Sequence, residues 1–185
     1  MIKRIFDLTF IIILFPIIFF VFFLTFILSL LINKKEIFFF QSRGGFKEKK
    51  IEIIKFRTME KKTKKISTFN NFLRKMRLDE VPQFLNILKG DLSIVGPRPL
   101  HYEYKDLYST EQKKRFNVKP GMTGMAQVQN SYSMSWSEQF KIDVWYSENH
   151  NLYLDFKIII KTIFVIIKSI GKKEIKDKDK FNGFN

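Results

Sequence analysis

Residues 8–32, LTFIIILFPIIFFVFFLTFILSLLI, run for 25 positions without a charge. At about 1.5 Å per residue, a helix of that length exceeds a hydrocarbon core of about 30 Å. A cleaved signal peptide does not fit, because the run is too long and no small-residue cleavage site follows it. Two arrangements do fit. One is a single spanning helix. The other is a helix hairpin broken at Pro16, where a backbone hydrogen bond is lost, entering and leaving the bilayer by one face. Lys3 and Arg4 precede the run and Lys34 and Lys35 follow it. Basic flanks favour the cytoplasm, so this pattern asks for both ends on the same side.

Beyond that run the periodicity changes. IFFFQSRGGFKEKKIEIIKFRTM, residues 37–59, reads as a β-hairpin in which Gly44 and Gly45 supply the turn. Ile51, Ile53 and Phe56 give a rough alternation. STFNNFLRKMRL, residues 67–78, reads as a helix capped by Ser67 or Thr68, with Phe69, Phe72, Leu73 and Met76 facing inward. Pro82 suits the first position of a further helix and Gly90 its C-terminal cap, with Phe84, Leu85 and Leu88 as the buried stripe. In LYLDFKIIIKTIFVIIKSIGKKE, residues 152–174, Lys157, Lys161 and Lys168 stack on one helical face and apolar residues cover the rest. That suits a helix lying in the membrane interface with its lysine heads at lipid phosphates, or an amphipathic core helix. From Lys172 the tail KKEIKDKDKFNGFN is charged and aperiodic and is expected to be disordered. No internal repeat or linker divides the chain. The organisation expected is one domain over residues 1–171, with 8–32 inserted in the membrane and a tail at 172–185.

Composition narrows the chemistry. The chain has 185 residues and no cysteine, which excludes disulfides, thiolate metal sites and cysteine nucleophiles. A formal net charge of +15 points to a polyanionic partner: nucleic acid, anionic lipid or a phosphorylated substrate. Residues 43–65 carry ten Lys or Arg against three Glu. They lack the aromatic platform and the recognition-helix pattern of a nucleic-acid site, so anionic headgroups beside the anchor are the better partner. Lysine outnumbers arginine 26 to 7. A chain that uses lysine wherever lysine serves makes its arginines informative, because only the planar guanidinium grips phosphate at two points. Arg4, Arg43, Arg57, Arg74, Arg77, Arg98 and Arg115 are therefore candidate ligand contacts.

The stretch RLDEVPQFLNILKGDLSIVGPRP, residues 77–99, concentrates the chemistry. Asp79 and Glu80 fall just before or at a helix N-terminus, where free N–H groups favour a carboxylate or a substrate phosphate. Helix capping is the ordinary role of such acids. Arg98, however, stands between Pro97 and Pro99, which hold it extended and preorganised as an anion clamp. VKPGMTGMAQV, residues 118–128, adds a Pro-Gly turn and small residues that leave room for a bound group. Together these describe a phosphate-handling site at a membrane surface.

Four segments in this order, FFFQSRGG…IIKFRTM, LRKMRLDEVPQFLNILKGDLSIVGPRP, VKPGMTGMAQV and DVWYSENHNLYLDFKIIIKT, resemble the monotopic phosphoglycosyl transferases of the bacterial sugar transferase family. The similarity reaches from the N-terminal anchor to about residue 170 and is nearest to the small single-domain members acting on UDP-linked diacetylated amino sugars. It implies an α+β, predominantly helical fold: a re-entrant membrane helix hairpin, a small β-hairpin, and interfacial amphipathic helices on a domain at the cytoplasmic face of the bacterial inner membrane. It implies transfer of a sugar-1-phosphate from a UDP-sugar to polyprenyl phosphate, with release of UMP, use of Mg²⁺ and a covalent phosphosugar intermediate. By position, Asp79 would be the nucleophile and Glu80 its partner, both near the metal. Arg74 and Arg98 would bind phosphate, with Pro97 and Pro99 framing the latter, and Gln127, Gln129 and Asn130 would belong to the donor loop. The partners implied are UDP-sugar, polyprenyl phosphate and membrane lipid, with no nucleic acid. Two places depart from the family pattern. Phe15 stands where Ser commonly precedes the proline, and residues 129–132 read QNSY where Asn-Gly-Arg-Asn is usual. The altered loop makes a catalytically silent scaffold of the same fold the alternative.

Overall fold

The computed structural model describes residues 2–33, 36–60, 66–129, 134–170 and 180–183. In chain order, helix α1 (Ile2–Asn33) leads into strands β1 (Phe38–Gly44) and β2 (Lys50–Phe56), helices α2 (Thr68–Lys75) and α3 (Gln83–Lys89), and strand β3 (Ser93–Val95). Helix α4 (Thr110–Lys113), strand β4 (Gly121–Thr123) and helices α5 (Met125–Val128), α6 (Trp136–Asn149) and α7 (Leu152–Ile170) follow. The class is α+β and mainly helical, as expected.

α1 continues through Pro16 without a turn, one helix where the sequence allowed a hairpin broken at that proline. A proline's own φ is helical and it forfeits one bond, which bends a helix without requiring a break. The two ends of α1 nevertheless both rest on the rest of the molecule. At its start, Asp7 accepts from Ser93 Oγ at 2.8 Å and from the Ile94 amide at 3.1 Å. Lys3 pairs with Asp155 at 2.5 Å, and Arg4 donates to the carbonyls of Ile87 and Leu88, closing the C-terminus of α3. Toward its other end, Phe22 and Phe26 pack on Phe56 and Phe38. Between them Ile12, Ile13, Phe15, Ile17, Phe19 and Phe20 are exposed. Apolar side chains in such number, without cover, mark a face built for lipid.

β1 and β2 form the expected antiparallel hairpin, in register from Phe38 opposite Phe56 to Gly44 opposite Lys50. The turn lies later than the glycines suggested. Gly44 is inside the strand, and the chain reverses at Lys47 and Glu48, both with positive φ. The glycines answer to packing instead: a Cβ on Gly45 would lie 2.6 Å from Ile51 Cγ2.

Ser67 caps α2, accepting from the Asn70 amide at 3.1 Å, and Leu73 is buried as expected. Phe72, expected inside, is exposed. α3 ends at Gly90, with φ of 94°, where the sequence placed the C-terminal cap, and begins one residue after Pro82, which caps it instead of taking its first position. Its buried face is not the leucine stripe. Leu85 and Leu88 are exposed and Phe84 is half-buried, while Gln83, Asn86 and Ile87 are buried. Asn86 explains the inversion. It accepts from the Ile54 amide at 3.1 Å and donates to the Glu52 carbonyl at 2.7 Å, satisfying the outer edge of β2.

β3 and β4 form a short parallel pair, Ser93 with Gly121 and Val95 with Thr123. α6 starts with a capping box between Ser135 and Glu138. α7 buries Asp155 and Ile158 and exposes Phe156, Ile160, Ile163, Phe164 and Ile167 beside Lys157, Lys161 and Lys168, the profile of the interfacial alternative. One core gathers Ile11, Ile53, Ile87, Leu92, Val95 and Ile158; a second is aromatic, from Tyr108, Phe116, Trp136, Phe140 and Phe181. Of the tail expected to be disordered, residues 172–179 and 184–185 lie outside the described residues, whereas Phe181 is 3% exposed inside the aromatic core.

Candidate active site

Between α2 and α3 the chain makes one 3-10 turn, Leu78–Glu80. It is entered through Arg77 in the left-handed region, φ 58° and ψ 18°, a conformation that costs a non-glycine residue on the order of 1–2 kcal/mol. The turn carries Asp79 and Glu80 into the interior at 9% and 5% exposure. Their surroundings differ. Glu80 Oε1 meets Lys55 Nζ at 2.6 Å and Arg98 Nη2 at 3.5 Å, and its Oε2 meets Arg77 Nη1 at 3.5 Å. Asp79 Oδ1 is buried without a hydrogen-bond partner among the described residues.

The electrostatics follow from that difference. Burial raises the Asp79 carboxyl to about 6, and the charge on Glu80 adds to the effect against Lys55, Arg77 and Arg74. Burial pushes Glu80 the same way, but Lys55, Arg77 and Arg98 outweigh it and hold the group well below the usual carboxylate range. Burial likewise depresses the Lys55 ammonium against the pull of Glu80, and lowers Arg43 to about 10 with help from Arg98. One acid is thus held ionised by three cations, and its neighbour is poised near neutrality.

Both acids open on a cavity of about 560 Å³. Among the described residues seven cations line it: Arg43, Lys55, Arg57, Arg74, Arg77, Arg98 and Lys180. Five of the seven arginines in the chain are among them, including Arg74 and Arg98. Arg4 and Arg115 lie elsewhere. Arg115, fully buried, pairs with Asp143 at 2.8 Å and donates to the Arg98 carbonyl at 2.7 Å, so it positions the clamp from behind. Pro97 and Pro99 are buried on either side of Arg98, and the Pro97 carbonyl accepts from Gly121 at 3.0 Å. The two glycine-rich motifs meet backbone to backbone here. A Cβ on Gly121 would lie 2.0 Å from Gly96 N, and one on Gly124 would lie 2.2 Å from Gly96 O.

Of the expected donor loop, Gln127 lines the cavity. Gln129 is exposed at the end of α5, and Asn130 lies outside the described residues. Sequence reasoning passed over Lys55, His101 and Lys180 as lining residues. Lys55 did carry a signal, as a lone cation inside the apolar strand pattern IEIIKF. Lys180 carried none, since only the docking of Phe181 brings it to the cavity.

A divalent cation suits this donor set in a limited way. Among the described residues no cluster of three or more ligating side chains exists. Mg²⁺, though, is commonly held by one or two carboxylates plus substrate phosphates, and the unpartnered Asp79 Oδ1 is an acceptor of that kind. The residues fit a metal that arrives with a diphosphate.

The family model for bacterial sugar transferases matches residues 1–169. The chain belongs to the bacterial sugar transferase family. It is a transferase, and it associates with membrane through its apolar N-terminal helix. This sugar transferase is 42% identical, over 145 residues, to the uncharacterized sugar transferase EpsL of Bacillus subtilis (strain 168), covering 73% of this chain and 72% of that protein. It is 34% identical over 155 residues to the UDP-N-acetylgalactosamine-undecaprenyl-phosphate N-acetylgalactosaminephosphotransferase of Aeromonas hydrophila, covering 74% and 37%. It is 37% identical over 107 residues to the undecaprenyl-phosphate galactose phosphotransferase of Salmonella typhimurium (strain LT2), covering 58% and 22%. The chain thus spans most of the Bacillus protein and well under half of the other two.

Proposed function

We propose that this sugar transferase moves a sugar-1-phosphate from a UDP-sugar to polyprenyl phosphate in two steps, at the cytoplasmic face of the bacterial inner membrane. The observation that carries the reading is the pairing of Asp79 and Glu80. A buried carboxylate with an unpartnered oxygen sits beside an acid that holds three cations together, inside an arginine-lined cavity below a lipid-facing helix. The relatives named for undecaprenyl-phosphate phosphotransfer support it.

In the first step an oxygen of Asp79 attacks the phosphorus that bears the sugar. The bond from that phosphorus to the bridging oxygen breaks, and UMP leaves with the electron pair. The product is an acyl phosphate on Asp79, which divides one difficult displacement into two. In the second step the phosphate oxygen of the lipid attacks the same phosphorus, and the Asp79 carboxylate departs unchanged. No net proton is taken up. Arg74, Arg77 and Arg98 hold the diphosphate and oppose its repulsion from the acids. Glu80 keeps Lys55, Arg77 and Arg98 converged on the phosphate site. Mg²⁺ held through Asp79, with Glu80 beside it, would stabilise charge on the phosphate oxygens and the departing UMP.

The placement of α1 supports a re-entrant anchor. Residues 3–7 and Phe22 and Phe26 all rest on the same body, whereas a helix crossing the bilayer would carry one of those ends away from it. The test of function is direct. Purified protein is incubated with polyprenyl phosphate, Mg²⁺ and a panel of UDP-sugars, and UMP is measured. A donor-specific release of UMP, with labelled phosphosugar on Asp79 when acceptor is withheld, is expected. Absence of UMP from every donor returns the scaffold reading.

A further inference from the structure

A second cavity, about 170 Å³, lies beside the first. Its walls are apolar, with Phe10 from α1, Phe84 from α3, Val128 from α5, and Ile159, Ile163 and Ile166 from α7. Two threonines also reach it, yet they offer no unmet polar group: the hydroxyls of Thr123 and Thr162 lie 2.7 Å apart, and Thr162 donates onward to the Ile158 carbonyl. The remaining polar lining, Arg77, Glu80 and Gln127, is shared with the arginine-lined cavity. The two spaces therefore share a wall at Arg77, Glu80 and Gln127.

We propose that this apolar pocket receives the first isoprenoid segment of the lipid acceptor, the hydrocarbon next to its phosphate; this rests on the sugar-phosphate transfer reading above. Three observations select that occupant. The pocket adjoins the phosphate site across Arg77, Glu80 and Gln127, so a monophosphate at Arg77 has its own chain beside the pocket. Its volume is well below the roughly 300–1,000 Å³ of sites that enclose a whole ligand, so it takes part of one. Its rim belongs to the lipid-facing surface: Ile163 is 54% exposed on the same helix as Phe164 and Ile167. A phosphomonoester on a single branched chain satisfies both ends. A diacyl phospholipid does not, since it brings two chains and a diesterified head. The donor occupies the polar cavity, and the acceptor comes to the same phosphorus from the bilayer side.

The experiment uses the full-length protein in nanodiscs and follows UMP release with polyprenyl phosphate or butyl phosphate as acceptor. Ile163→Trp narrows the rim of the pocket, and Val128→Phe fills it from α5. Each is expected to raise KM for polyprenyl phosphate by about tenfold or more, the worth of one lost apolar contact. KM for the UDP-sugar and for butyl phosphate, which is too short to use the pocket, should stay within about twofold on the same scale. Ile160→Trp is the control, on the same exposed face of α7 but outside the pocket. An unchanged polyprenyl phosphate KM in both pocket variants overturns the inference, as does an equal rise in Ile160→Trp, which would report membrane seating. Equal KM values for the two acceptors with the wild-type protein overturn it without any variant. If the wild type releases no UMP from any donor, the transfer reading itself has failed, and the acceptor pocket that rests on it falls with it.

Discussion

Asp79 and Glu80 are neighbours in sequence with opposite proton affinities, and each makes a prediction at its own scale. An acid whose folded value of about 6 lies above its ordinary 3.8 binds its proton more tightly when folded. Its favourable contribution is complete below 3.8 and is lost as pH rises through about 6. Asp79→Asn is neutral throughout, so at pH 7.5 it should stabilise the fold by roughly 1–3 kcal/mol while abolishing UMP release. A melting temperature at or below the wild type's would contradict the assigned burial cost. Because attack needs the ionised form, kcat/KM should fall as pH drops below about 6; a midpoint near 4 would point to another group. Glu80 has the reverse sign. Its contribution is present above its ordinary 4.5 and is lost only as pH falls through its lowered folded value. Glu80→Gln leaves Lys55 buried without its counter-charge and should cost roughly 3–5 kcal/mol in chemical denaturation. The pair was legible in sequence as adjacent acids near a helix start. Which one was neutralised by cations was not, because Lys55 and Arg98 come from 25 residues before and 18 residues after Glu80.

At the scale of elements, the caps were legible and the faces were not. Ser67, Pro82 and Gly90 stand where local backbone chemistry puts them. Leu85 and Leu88 were assigned inward and lie outward, because hydrophobicity identifies a core only when the alternative is water. α1 raises the same question. Ile2→Cys and Lys35→Cys variants, in a chain with no native cysteine, should both resist an impermeant reagent added outside intact cells. Labelling of either would establish a crossing helix. The contact of β3 and β4 makes a further prediction. Gly121→Ala places a methyl 2.0 Å from the Gly96 amide nitrogen, with no flexible side chain to yield. It should displace the loop that carries Arg98, lowering kcat/KM by about tenfold or more, on the order expected when a positioned group moves by an ångström. Equal activity would show that the two loops are independent of each other.

At the scale of the molecule, residues 180 and 181 of the charged tail pack at the site. Phe181 stacks on Tyr108 and meets Phe140 edge-on at a centroid distance of 5.0 Å, and the preceding Lys180 lines the arginine-rich cavity. Phe181→Ala removes a buried aromatic and should cost roughly 3 kcal/mol. It should also raise KM for the UDP-sugar several-fold as Lys180 leaves. A lower melting temperature with an unchanged donor KM would confine Phe181 to packing.

The chain by itself determined the apolar run, the hairpin, the capped helices and a short set of candidate arginines, because each is written in a local pattern: hydropathy, turn chemistry, or a residue used against the compositional trend. All seven arginines were marked as candidate ligand contacts, and the five between residues 43 and 98 line one cavity, while Arg4 and Arg115 do not. Their convergence was a tertiary result. It needs Arg77 in a left-handed turn, Arg115 behind Arg98, and two glycine loops in backbone contact. The buried anchors of α1, Asp7 on Ser93 and Lys3 on Asp155, were likewise invisible in sequence. Charges at the edge of an apolar run read as flanks to a membrane until the packed structure removes them from water, and burial of that kind is decided by residues 86 and 152 positions away.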